Sequence, residues 1–114
     1  MNADYAGHIA GSRIQVAEHE GELAGFVVFY PELHEMHIEN IAVVPQKAGQ
    51  RVGSSLLSFV ETEAVAKDLS AVNLYTNEVM VQNIKWYQRL GYQETERRQD
   101  NGFNRVFFRK ALPV

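Results

Sequence analysis

With 114 residues and 46% hydrophobic content, the chain can bury one core and has little stability to spare, so a single domain over 1–114 is expected. A net charge of −3 and a pI near 5.8 give no broad basic surface, which argues against nucleic acid and acidic membranes as partners. The lack of cysteine excludes disulfides, thiolate zinc sites and a cysteinyl acyl intermediate, and fits a reducing compartment.

The N-terminal stretch MNADYAGHIAGSR has no basic segment followed by an apolar run. No window approaches the roughly 18 apolar residues of a membrane span, so a cytoplasmic location is expected. Residues 3–11 predict a short helix, with Tyr5 and Ile9 on one face and Gly11 as its stop. RIQVAEH and ELAGFVVFY flank Glu20-Gly21 and read as a hairpin whose second strand is closed by Pro31. MHIENIAVV is a third strand ending at Pro45. From Ser54 to Asp68 the period becomes helical, with Leu56, Val60 and Ala64 in one stripe supported by Leu57 and Phe59. AVNLYT follows that helix and is expected to run parallel to the third strand. Met80, Ile84, Tyr87 and Leu90 mark a second helix stopped by Gly91. YQETERRQ and FNRVFFRK flank Asp100-Asn101-Gly102, which suits the left-handed residues of a hairpin turn. The predicted order is β-β-β-α-β-α-β-β, a mixed α/β sheet with two main helices.

The segment VVPQKAGQRVGSSLL, residues 43–57, places two glycines between a strand and a helix start. A helix N-terminus leaves backbone N–H groups unpaired and carries partial positive charge, so such a loop can bind phosphate where glycine lets the backbone approach. The segment has neither the Gly-Lys-Ser/Thr ending of a nucleotide P-loop nor a G-x-G-x-x-G fingerprint. Taken alone, a pair of glycines four apart is more often a tight turn than a phosphate cradle.

ENIAVVPQKAGQRVGSSLL, followed by LYTNEVMVQNIKWYQRLGYQE, resembles the GCN5-related N-acetyltransferase (GNAT) superfamily over roughly residues 13–112. Members acylate amines from acyl-CoA. The resemblance implies that amides of a Q/R-x-x-G-x-G/A loop hold the coenzyme A pyrophosphate, here Gly49, Gln50, Arg51, Val52, Gly53 and Ser54. It also implies a tyrosine on a later helix, matched by Tyr87 in Tyr87-Gln-Arg-Leu-Gly-Tyr92. The loop departs from the pattern at Ala48, where glutamine or arginine is usual, and at Arg51, where the first signature glycine is usual. The asparagine that many members carry seven residues before the tyrosine falls on Met80, and Asn83 is the substitute contact to the cofactor arm. The family's N-terminal strand and helices, one wall of the amine site, are largely missing ahead of the hairpin. An exposed edge strand at 13–19 then predicts a homodimer in which a second copy covers it.

The implied chemistry is direct transfer of an acetyl group from acetyl-CoA to a primary amine, in a small molecule or peptide, without a metal. The backbone of Ile41, Ala42 and Val43 would pair with the pantetheine arm and the carbonyl oxygen where the two parallel strands splay. Tyr87 would be the general acid, because a phenol of pKa about 10 stays protonated at neutral pH. Glu39 is the candidate base, sharing a strand face with Ile41 and Val43; His37 and Glu35 are alternatives. The motif HEMH at 34–37 does not predict a metal, since strand residues three apart point to opposite faces and no third ligand accompanies them. Trp86, Phe103, Phe107 and Phe108 read as core or interface aromatics. Two other readings remain: a catalytically silent acyl-CoA-binding or oligomerisation module of the same fold, and a protein whose loop is a plain turn binding no coenzyme.

Overall fold

The computed structural model describes residues 13–45 and 51–113. The elements are β1 (Arg13–His19), β2 (Glu22–Glu32), β3 (Glu35–Val43), α1 (Val52–Ala66), β4 (Ala71–Asn77), α2 (Val81–Arg89), β5 (Gln93–Asp100) and β6 (Phe103–Ala111). This is the expected order. The helix expected over 3–11 lies outside the described residues, as do Gly49 and Gln50. The strands form one six-stranded sheet ordered β1-β2-β3-β4-β6-β5. β3 and β4 run parallel, joined through α1, and the other neighbouring pairs are antiparallel. Among the described residues, no helix is long and apolar enough to cross a membrane.

The hairpin turns follow from residue type. Glu20 and Gly21 have φ of 55° and 80°, and Asn101 and Gly102 of 53° and 81°, so both central residues of each turn are left-handed, as a two-residue turn matched to strand twist requires. β2 does not stop at Pro31 but runs to Glu32, and the turn falls at Leu33, with φ of 57°. Pro31 stands opposite Met36 of β3, so the β2–β3 pairing continues through the proline.

Both helices pack on one face of the sheet. Alternation along the strands sends Val27, Phe29, Met36, Ile38, Val72, Leu74, Val106 and Phe108 into a single core with Leu56, Leu57, Val60 and Ala64 of α1 and Ile84 and Tyr87 of α2. Phe59 meets Phe29 edge to face, their centroids 6.0 Å apart. Met80, expected on the buried stripe of the second helix, instead caps that helix and is 46% exposed. Gly25 lets α1 and β3 crowd against β2: a Cβ there would stand 2.6 Å from the Ala42 carbonyl oxygen and 3.1 Å from Val52 Cγ1.

α1 starts two residues earlier than the apolar stripe suggests, at Val52, and its N-cap Arg51 has φ of 60° and ψ of 24° with no side-chain cap bond. That is the conformation which glycine adopts without a Cβ penalty, at the position where the resembled pattern has glycine. Holding a non-glycine residue there costs about 1–2 kcal/mol. Set against the extra chain entropy that glycine loses, Arg51→Gly is expected to stabilise the fold by roughly 0.5–1 kcal/mol. Urea unfolding checks this as a raised midpoint; a lowered midpoint would show that the arginine side chain contributes more than its backbone costs.

Candidate active site

The site begins where two strands stop pairing. The β3–β4 ladder runs through Glu35–Ala71, Met36–Val72 and His37–Asn73, and ends there. Beyond it β3 stays paired with β2 as far as Val43, and β4 with β6 as far as Asn77. Each strand keeps its outer neighbour while the inner edges part, so the sheet opens into a wedge toward the strand C-termini. Glu39 marks the opening. Val28 faces Asn40 and Phe29 faces Ile38, so Glu39 is the extra residue of a β-bulge.

The bulge interrupts the alternation from which a shared face for Glu39, Ile41 and Val43 is expected. Core side chains on β3 fall on Met36 and Ile38 before it, and the partly buried Ile41 and Val43 pack against the same core after it. An inserted residue reverses the odd–even alternation, so the simple period-2 count fails across Glu39.

Two cavities meet in the wedge. The larger, about 350 Å³, is lined by Ile41 and Val43 of β3, by Arg51, Gly53 and Ser54 at the start of α1, and by Asn83, Trp86 and Tyr87 of α2. The smaller, about 180 Å³, is lined by Ile38, Glu39, Asn40, Ile41, Leu74, Tyr75, Thr76, Asn83 and Tyr87. Ile41, Asn83 and Tyr87 belong to both and form the neck between them. Of the residues expected from sequence, Ala42 and Val52 line neither. Ala42 pairs with Phe26, and Val52, 7% exposed, belongs to the core.

Trp86 is the lining residue that sequence reading assigned to packing. Its ring lies so close to α1 that a Cβ on Gly53 would stand 2.9 Å from Trp86 Cη2 and Cζ2. Gly53 thus lets Trp86 form a wall of the larger cavity, and at this position the glycine works through packing. A usable signal was present: Trp86 follows Asn83 by three residues, which puts both on one helix face.

Tyr87 is buried, and its ring contacts Trp86, Tyr92 and Phe108. Its hydroxyl makes no hydrogen bond among the described residues, yet no buried polar side-chain atom lacks a partner, so the phenol oxygen reaches the cavity surface. Burial pushes its pKa up to about 12. The group at the neck is therefore a neutral proton donor throughout the physiological range.

On the sheet face opposite the helices, Tyr30, His37, Tyr75 and Phe107 form a row of rings with successive centroids 5.2, 6.1 and 5.4 Å apart. The Arg105 guanidinium lies 4.4 Å from the Tyr75 ring centre and that of Arg98 4.3 Å from Phe107. Below the row, Arg109 Nε donates to Glu35 Oε2 at 2.9 Å, Asn73 Nδ2 donates to Glu35 Oε1 at 2.9 Å, and His37 Nδ1 lies 2.6 Å from Asn73 Oδ1. Burial raises the Glu35 pKa, but the bonds from Asn73 and Arg109 and the arginine charge outweigh it and hold the carboxyl below its ordinary value. Glu35, with both oxygens engaged, is a structural anion and a poor base. Among the described residues no three His, Asp or Glu side chains gather as metal ligands.

Comparison with known proteins places this geometry. The family described as "Acetyltransferase (GNAT) domain" matches residues 10–94. An aminoalkylphosphonate N-acetyltransferase of Salmonella typhimurium is 29% identical over 87 residues, covering 71% of this chain and 56% of that protein. The chain thus spans little more than half the length of that relative. The ribosomal-protein-S18-alanine N-acetyltransferase from Escherichia coli superposes with a TM-score of 0.84 at 19% identity, over 97% of this chain and 76% of that one. A GNAT family acetyltransferase from Elizabethkingia anophelis, solved with acetyl-CoA bound, superposes with a TM-score of 0.78 at 23% identity, over 90% of this chain and 77% of the other. At such identities these structures attest to the fold alone, whereas the family match spans most of the sequence. The chain belongs to the GNAT acetyltransferase family.

Proposed function

We propose that the protein is an N-acetyltransferase that moves an acetyl group from acetyl-CoA directly to a primary amine. The observation that carries this reading is the neck of the wedge, where Tyr87 lines both cavities. The larger cavity suits the coenzyme arm. It runs from the start of α1, where Ser54 and Ser55 follow Gly53 and no acidic residue occupies the first turn, toward Tyr87. Arg51 adds a guanidinium at the phosphate end, and Asn83 an amide halfway along. Acetyl-CoA supplies the activated thioester.

The smaller cavity then receives the amine. A C–N bond forms as the C–S bond breaks; Glu39 takes a proton from the attacking nitrogen, and Tyr87 gives its proton to the departing sulfur. The parted edge of β3 at Ile41–Val43 supplies backbone for the pantetheine amides and the carbonyl oxygen as it gains charge. The whole of 1–114 acts as one domain of this kind, and its cysteine-free composition suits the reducing cytoplasm. The similar proteins act on acceptors of differing shape, so an aminoalkylphosphonate, a streptothricin antibiotic and an alanyl peptide, with a polyamine as a further primary amine, form the acceptor panel.

Calorimetric titration with acetyl-CoA and with dephosphorylated pantetheine is the test. Binding that needs the pyrophosphate is expected, and acetyl-CoA that gives neither heat nor a thermal shift would overturn the reading. Tyr87→Phe should keep the fold and coenzyme binding while lowering kcat on the panel by about 10²–10³-fold. Undiminished kcat would remove Tyr87 as the acid; tight binding with no turnover of any amine would favour the silent module.

A homodimer through β1 is the accompanying assembly. Val16 and Leu23 on the β1–β2 hairpin are 49% and 52% exposed, whereas the opposite edge strand, QETERRQD, is guarded by charge. Sedimentation velocity should show a dimer that Val16→Lys converts to monomer. A monomeric native protein would refute this assembly without touching the chemistry.

A further inference from the structure

The hydrogen-bond chain beneath the aromatic row fixes the proton on one nitrogen of His37. Glu35 is ionised, held so by Arg109 and Asn73, and an ionised carboxylate only accepts. The Asn73 amide must therefore turn its NH₂ to Glu35, which leaves its oxygen facing His37 Nδ1 at 2.6 Å. An amide oxygen also only accepts, so Nδ1 carries the hydrogen. In the neutral ring the lone pair is consequently on Nε2, on the side of the imidazole away from Asn73. No hydrogen bond to Nε2 forms among the described residues.

The position of this lone pair gives it a use. His37 and Asn73 are the last pair of the β3–β4 ladder, at the root of the wedge. The His37 ring lies between Tyr30 and Tyr75. Tyr75 lines the smaller cavity together with Glu39, and the Glu39 charge is among the influences that raise the Tyr30 pKa, after burial and Glu32. His37 is thus one ring removed from the amine end of the cleft, on a half-buried aromatic surface that attracts cations, as Arg105 on Tyr75 already shows.

We propose that the acceptor enters as an ammonium across this aromatic face and gives the first of its two protons to His37 Nε2, with Asn73 and Glu35 as positioning residues. This rests on the acetyltransferase reading above and completes its proton balance. An ammonium nitrogen carries three protons and the amide product one, so two must leave. The first passes to Nε2 before attack and from the imidazolium to solvent. The second passes to Glu39 as the C–N bond forms, and the sulfur is protonated by Tyr87. The titratable and charged neighbours of His37 are Tyr30 from β2, Glu35 and Glu39 from β3, Tyr75 from β4 and, through Glu35, Arg109 from β6.

Two measurements test it. Long-range proton–nitrogen correlation spectra of the histidine-labelled full chain, with the His37 signals assigned by their loss in His37→Gln, should show Nδ1 protonated and Nε2 bare in the neutral ring. Asn73→Ala should redistribute the proton toward Nε2. A protonated Nε2 in the native protein overturns the proposal, whether or not any amine is turned over. The second measurement is kcat/KM of His37→Gln and Asn73→Ala against pH on the best amine of the panel. The His37→Gln deficit should be about 10²-fold near pH 7 and shrink to about tenfold or less near pH 10, where an alkylamine with a pKa of about 10.4 is substantially neutral before it binds. Tyr87, its pKa raised to about 12, keeps its proton across that range. A deficit that stays constant with pH, or none at all, overturns the role of His37. Failure of the acetyltransferase reading shows separately, as absence of acetyl-CoA binding with the tautomer unchanged.

Discussion

The rest of the structure depends on two parallel strands that cease to hydrogen-bond after His37 and Asn73. Unpaired strand backbone inside a sheet is costly, and the fold confines the loss to inner edges whose outer neighbours remain in register. The wedge is therefore stable without being filled by protein. A bulge at Glu39 changes the twist of β3 at the place where the gap must begin, and the same irregularity sets a carboxylate on the cavity wall. Geometry and chemistry at this point have one cause.

The beginning of α1 shows how contact and conformation divide the work of a loop. Gly53 is constrained by a ring, since Trp86 occupies the space a side chain would need. Arg51 is constrained by its backbone, which takes up a left-handed turn that glycine adopts at less cost. A cationic side chain at such a residue stands at the mouth of a cavity that the helix amides also face, so strain and charge coincide at one position.

Much of the fold was legible because local signals agree with one another. Turn glycines, the change of hydrophobic period from two to 3.6 and the order of elements all point to the observed sheet. The failures are equally local. Pro31 reads as a strand terminus because proline disrupts ladders, but β2 stays paired with β3 through it, Pro31 opposite Met36, which no property of Pro31 reveals. The period-2 count across Glu39 does not hold, because a bulge leaves no compositional mark. Trp86 reads as packing because its partner, Gly53, is distant in sequence. The link between Glu35, Asn73, His37 and Arg109 spans three strands and follows from register alone, which sequence patterns do not encode.

Both helices lie on one face of the sheet and the ring row lies on the other. That separation makes the two faces independently variable. Residues that hold the fold together project toward α1 and α2, while the ring row projects away from them on the alternate positions of the same strands. Single substitutions at Tyr30, Tyr75 or Phe107 change the outer surface while leaving the interior packing of Val27, Leu74 and Val106 intact. Such an arrangement gives the outer ring surface room to change over generations without first unsettling the core.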